Sequence, residues 1–146
     1  MGFSQAIQTV LVRKYATFSG RAARSEYWWF ALFTFLAVFV LMIPAMMTMD
    51  FSTGEPSTLS FIFFGLLGIF YLAILIPTIA VGVRRLHDRN MSGWWYLGFI
   101  AASFIPFVGF LASIAMLVIF CLKGTDGDNR FGPDPLKPMG RADIFA

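Results

Sequence analysis

Apolar residues fill this chain in long blocks. Tyr27 to Met49 is a run of 23 residues without a charge, Leu59 to Val83 a run of 25, and Trp94 to Leu122 a run of 29. A helix needs about 20 apolar residues to cross ~30 Å of hydrocarbon. The first two blocks therefore predict full membrane spans at 27–49 and 59–83. The third would make a straight helix of about 43 Å, long for one span and short for two. Ile105-Pro106-Phe107-Val108-Gly109 interrupts it near the middle, and a proline and a glycine three apart favour a break. The block reads either as one tilted, kinked helix or as a short helix pair turning at Pro106 to Gly109.

Before the first block, Phe3, Ala6, Ile7, Val10, Leu11 and Lys14 recur at three- and four-residue spacing. That spacing predicts an amphipathic N-terminal helix. Its apolar face suits the membrane surface with Arg13 and Lys14 at the headgroups, the alternative being packing against the bundle. Ser19-Gly20 ends it. Ser25 is the candidate N-cap of the next helix, and Glu26 in its first turn suits the helix dipole. Trp28 and Trp29 open the first block, and Trp94 and Trp95 open the third; these are expected interface anchors, where an aromatic ring sits half wet. Pro44 and Pro77 lie inside blocks, and lipid-embedded helices tolerate the resulting kinks. Asp50 to Thr58 is a polar loop. Met91-Ser92-Gly93 is a turn.

Charge arbitrates the third block. Arg13, Lys14, Arg21 and Arg24 precede the first span, and Arg84, Arg85 and Arg89 follow the second, while the loop between them has no lysine or arginine. The positive-inside rule puts the N-terminus in the cytoplasm. The tail carries Lys123, Arg130, Lys137 and Arg141 beside Asp126, Asp128, Asp134 and Asp143. Acidic residues count little for this rule, so both ends are expected inside and the helix pair is preferred. The fold class is all-α: a polytopic membrane helix bundle with two full spans, a broken segment over 94–122 and an N-terminal interfacial helix. Residues 1–135 form a single integral membrane domain, and 136–146 are expected to be a disordered tail.

Composition agrees. The chain is 58% hydrophobic and 13% charged, with 18 phenylalanines, against about 25% charged residues in a soluble domain. The first 25 residues lack the apolar core of a cleavable signal. The net charge of +3 comes from cations flanking the apolar blocks, so lipid and topology explain it and no nucleic acid partner is expected. Cys121, the single cysteine, is expected to be a small buried hydrophobe rather than a reactive thiol.

The chemistry concentrates in Val83-Arg84-Arg85-Leu86-His87-Asp88-Arg89-Asn90, which holds the only histidine. An arginine at the bilayer centre costs about 2.5–3.5 kcal/mol, so this knot lies outside the hydrocarbon. Three stretches carry a family likeness: Phe18-Ser19-Gly20-Arg21-Ala22-Ala23-Arg24-Ser25-Glu26-Tyr27-Trp28; Val83 to Asp88 with Ser92-Gly93-Trp94-Trp95; and Gly124-Thr125 through Asn129-Arg130-Phe131-Gly132-Pro133-Asp134-Pro135. In that order the chain resembles the domain-of-unknown-function 805 family of small bacterial inner-membrane proteins, over residues 15 to 135. The resemblance implies a bacterial inner (plasma) membrane location and supports the span count. It brings no activity.

All three stretches fall at membrane boundaries. With both ends inside, Arg21, Arg24, Arg84, Arg85, Arg89 and Arg130 share a face with Glu26, Asp88, Asp126, Asp128 and Asp134. The reading is a juxtamembrane ionic cluster clamping the tail over the helix ends, since a guanidinium holds a carboxylate bidentately. The alternative is that each arginine snorkels to a lipid phosphate. His87 and Asp88 point about 100° apart on a helix, so no metal site is expected, and Asp126-Gly127-Asp128-Asn129 lacks the spacing of a calcium loop. No cofactor is expected. The expected function is binding or scaffolding, through an arginine-rich cytoplasmic face that includes His87, toward anionic lipid headgroups or another membrane protein. The rivals are a membrane enzyme acting on a lipid headgroup, with His87 as base near Ser92, and a small transporter. The spans carry no charge and so offer no obvious ion or proton path, and four short helices make so small a bundle that a pore would require a homo-oligomer.

Overall fold

The computed structural model describes residues 1–50, 52 and 54–137. The expectation for the tail beyond residue 137, including Arg141 and Asp143, lies outside the described residues. Five α-helices follow in order: α1 Phe3–Gln8, α2 Arg24–Met47, α3 Thr58–Asp88, α4 Trp94–Ser103 and α5 Val108–Cys121. A π-helical turn, Thr9–Arg13, extends α1. No strand forms among the described residues, only isolated bridges at Met49 with Pro56 and Asn129 with Gly132.

Helices α2 and α3 form the long antiparallel pair. α2 begins at Arg24 behind Ala23, which offers no side-chain cap, so Ser25 lies in the first turn and not at the N-cap. The reason is tertiary: the Ala22 N–H bonds the Arg84 carbonyl at 3.0 Å, pinning the extended segment ahead of the helix. At the other end Ser57 caps α3 by accepting from the Ser60 N–H, and Ser60 meets Thr48 at 2.9 Å. α3 runs five residues beyond the expected span and carries Arg84 to Asp88 as its last turn.

Pro77 sits inside α3 and has no N–H to offer the carbonyl four residues back. The Tyr15 hydroxyl takes that place, donating to the Ala73 carbonyl at 2.6 Å. The helix therefore crosses its proline with the freed acceptor satisfied, as a lipid environment requires.

α4 and α5 are the expected short helix pair. They turn over Phe104 to Phe107, and Phe107 takes a left-handed φ of 61°, which few non-glycine residues adopt. α1 lies against the bundle with Ala6, Thr9 and Val10 buried, while Phe3 and Val12 are exposed. Val10, Ala22, Phe30 and Val81 form one core cluster. Leu86, Tyr96 and Phe120 form a second, with Tyr27, Val83 and Met116 against it. Both lie at the knot end.

Elsewhere the usual order is inverted. Phe35, Val40 and Leu72 are 57%, 70% and 72% exposed, while Arg84 and Arg85 are 0% exposed. Greasy positions outside and guanidinia inside are the pattern of a protein dissolved in lipid. The chain is an all-helical membrane bundle. Cys121 is exposed, contrary to expectation, because on α5 the apolar positions that miss the small core face lipid instead.

Candidate functional site

The knot is the last turn of α3. Arg85 and Asp88 stand three apart and so share a face, and Arg85 Nη1 bonds Asp88 Oδ2. Asp88 Oδ1 accepts from Arg21, whose Nε and Nη2 both lie 2.9 Å away. Arg84 points to α2, where its Nη1 bonds Glu26 in the first helical turn. All three pairs are almost fully buried. Arg84 Nε and Nη2 find no partner, so the pair is held at a desolvation cost and specifies geometry more than it adds stability.

The tail is gripped by its backbone. Arg21 donates to the carbonyls of Thr125 and Gly127, each at 2.5 Å, and of Gly132 at 3.4 Å. Arg85 donates to Phe120 at 3.1 Å and to Leu122, Arg24 to Cys121 at 3.4 Å, and Arg89 to Lys123. Phe120, Cys121 and Leu122 are the last carbonyls of α5 and its cap, which lack helical partners and carry the negative end of the helix dipole. The arginines thus cap α5 and lash down the loop that follows. Trp28 adds an N–H to the Phe120 carbonyl at 3.4 Å. In return the Thr125 N–H bonds the Asp88 carbonyl at 2.8 Å, and Asn129 Nδ2 bonds the His87 carbonyl at 2.9 Å. Gly124 is required by contact: a Cβ there would lie 2.0 Å from Asp88 Oδ2.

The carboxylates of the tail do other work. Asp126 pairs with Lys123 at 2.7 Å on the open surface. Asp128 accepts from the Asp134 N–H, and Asp134 accepts from the N–H groups of Gly127 and Leu136. The Leu136 bond, then the Gly127 bond and the nearby Arg21, hold the Asp134 carboxyl below the usual carboxylate range. Arg130 is exposed, reaches the Asn90 carbonyl at 3.1 Å and lies over the Phe131 ring. The structure therefore joins Arg21, Arg85 and Asp88 in one centre and Arg84 with Glu26 beside it. It leaves Asp126, Asp128 and Arg130 outside both.

His87 and Asp88 diverge. The imidazole stacks on Phe131 with centroids 4.0 Å apart and donates from Nδ1 to the Gly20 carbonyl at 3.1 Å. His87 and Ser92 both line an open groove of about 540 Å³ between α3 and α4, with Phe18, Val83 and Trp94. No hydrogen bond joins the two side chains. A second groove, of about 520 Å³, lies between α2 and α5 and is lined by Arg24, Ser25, Trp28, Trp29, Leu32 and Cys121. Trp28, Trp29, Trp94 and Trp95 are all at least 38% exposed at the knot end. Among the described residues, no group of three or more histidine, cysteine and carboxylate side chains converges to hold a metal ion. Sequence reasoning placed Gly124 and Asn129 in the third family stretch without assigning either a contact, and it missed the Tyr15 hydroxyl.

The family model described as Protein of unknown function (DUF805) matches residues 15–133. The chain belongs to this family. Every residue of the clamp, from Tyr15 through Gly132, lies inside the DUF805 match. The chain is 39% identical over 127 residues to Inner membrane protein YhaH of Escherichia coli K12, covering 86% of this chain and 92% of that one. It is 38% identical over 125 residues to Inner membrane protein YhaI of the same organism, covering 86% and 91%. No solved structure matches significantly. These relatives are inner membrane proteins, in agreement with the lipid-facing bundle.

Proposed function

We propose that this DUF805 protein is a multi-pass membrane binding or scaffolding protein, one integral domain over 1–135. Both ends are cytoplasmic, and a rigid cap takes anionic phospholipid at its rim. The observation that carries the reading is the placement of Arg24. Arg21 and Arg85 are enclosed and spend donors on Asp88 and on backbone carbonyls, and the enclosed Arg84 bonds Glu26, so the three hold the cap together. Arg24 is exposed, makes one long bond at 3.4 Å, and stands with Ser25 at the mouth of the groove floored by Trp28, Trp29 and Leu32. A cation and a hydroxyl above an apolar, tryptophan-lined slot match a phosphate headgroup above its acyl chain. Arg130, also exposed, adds positive potential on the same face. The positive-inside pattern supports the orientation.

The test is lipid retention by the purified protein after exchange from mixed phosphatidylglycerol and phosphatidylcholine, read by native mass spectrometry. Preferential retention of phosphatidylglycerol, weakened by salt and reduced several-fold by Arg24→Gln with thermal stability unchanged, is expected. Equal retention of the two lipids, or an unaffected Arg24→Gln variant, would sink the reading.

A further inference from the structure

The two halves of this bundle differ in thickness of protein. α2 has 24 residues and α3 has 31, about 36 and 46 Å of helix, enough for the whole hydrocarbon. α4 has 10 and α5 has 14, about 15 and 21 Å. The hairpin starts and ends at the cap. Gly82 lies under the Tyr96 ring, where a Cβ would meet Cε2 at 2.2 Å, and Phe120 packs on Leu86. Measured from those anchors, Ser103 lies about 10 Å beyond Tyr96 and Val108 about 18 Å beyond Phe120. Either route ends near the level of Ile74 and Leu75 on α3, and any tilt makes it shallower. From there α3 continues to Thr58, about 24 Å further.

The composition of the tip fits that depth. Phe104, Ile105, Pro106 and Phe107 carry no polar side chain, and Phe104 and Phe107 are 83% and 87% exposed. No tryptophan, tyrosine or charge is there to lodge in the opposite headgroups, in contrast to Asp50, Ser52, Glu55 and Ser57 in the loop joining α2 and α3. The hydroxyls nearest the tip are satisfied within their own helices, Ser103 on Phe99 and Ser113 on Gly109, each at 2.8 Å, as lipid-embedded serines are. α1 and its π-helical turn pack on the same side, through Val10.

We propose that the protein is a membrane wedge that partitions by curvature. The cap-side leaflet holds α4, α5 and the N-terminal helix beside α2 and α3, whereas the far leaflet holds α2 and α3 alone. Each helix displaces a cylinder about 10 Å across, so with five helices against two the cap-side leaflet loses about two and a half times the area to protein. Bending the bilayer convex toward the cap relieves that mismatch. The protein therefore concentrates where the cap-side leaflet is the outer surface of a tight curve and avoids the reverse.

The test uses the full chain, fluorescently tagged at its C-terminus, in giant vesicles of phosphatidylcholine from which tubes are pulled. External protease reports which way each population faces. Molecules with the cap outward are expected to enrich several-fold in the tube, increasingly as the tube narrows, and molecules with the cap inward to be depleted. Equal partition of both orientations would overturn the inference. A variant with α4 and α5 each lengthened by about three turns, ~16 Å, should lose the effect, and undiminished sorting by it would also refute the wedge. If that variant does not fold, the two orientations of the native protein still decide. The inference shares the cap-side orientation of the hairpin with the lipid-binding reading but not its ligand. Because these vesicles hold no anionic lipid, absence of sorting in them refutes the wedge alone, whereas equal retention of phosphatidylglycerol and phosphatidylcholine refutes the lipid-binding reading alone.

Discussion

Removing the Asp88 carboxylate should be the most damaging single change in the cap. Asp88 receives Arg21 at 2.9 Å and is bonded by Arg85, and the side chains of all three are at most 5% exposed. Asp88→Ala leaves two guanidinia in a dry site with one anion gone. Breaking a buried ion pair by deleting one partner costs about 3–5 kcal/mol. The lower end applies here, because Arg21 keeps its carbonyls at Thr125 and Gly127 and Arg85 keeps Phe120. A loss of about 3 kcal/mol lowers the folded-to-unfolded ratio by roughly two orders of magnitude. The assay is reversible denaturation in detergent, paired with trypsin cleavage at Lys123 and Arg130. Asp88→Ala should unfold far earlier and be cut in the tail under conditions that leave the native protein intact. Asp126→Ala is the control: its pair with Lys123 is 63–73% exposed, and such pairs contribute about 0–1 kcal/mol. If the two variants proved equally stable, the clamp would be wrong.

Three further outcomes follow from the same geometry. Tyr15→Phe strands the Ala73 carbonyl freed by Pro77 and should cost about 1–3 kcal/mol; in a Pro77→Ala background the substitution should be nearly neutral, so a thermodynamic cycle without coupling would reject the role assigned to the tyrosine. Gly124→Ala drives a methyl into Asp88 and should release the tail to protease, whereas Gly98→Ala, in open space, should not. The Asp134 carboxyl is held below its unfolded value by the Leu136 and Gly127 N–H groups; its contribution to tail order is complete above the ordinary carboxylate range and disappears as pH falls through the depressed folded value. Protection of the Gly127 and Leu136 amides, measured as exchange relative to the intrinsic rate at each pH, should be lost only below that range, and a loss of protection toward alkaline pH would contradict the assignment.

Uninterrupted apolar runs determined by themselves that Tyr27 to Val83 makes two membrane helices, because a helix that satisfies its own backbone is the way a single uncharged run crosses lipid. Pro106 and Gly109 likewise announced the break that makes α4 and α5. Charge predicts that the knot lies outside the hydrocarbon. Which atoms the arginines would hold was not legible. Sequence offers carboxylates as their obvious partners, and Asp88 and Glu26 do serve, yet Asp126 and Asp128 do not. Arg21, Arg24, Arg85 and Arg89 also donate to carbonyls between Phe120 and Gly132, and a carbonyl is the same at every residue, so no letter in the sequence marks it. The Tyr15 hydroxyl found Ala73 across 58 positions, and Ser25 lost its cap to a backbone bond from Ala22 to Arg84. Such choices are made by the approach of segments distant in the chain. Hydrophobic patterning fixes where each segment lies relative to lipid; only the packed structure decides which polar groups then have no water left and must find each other.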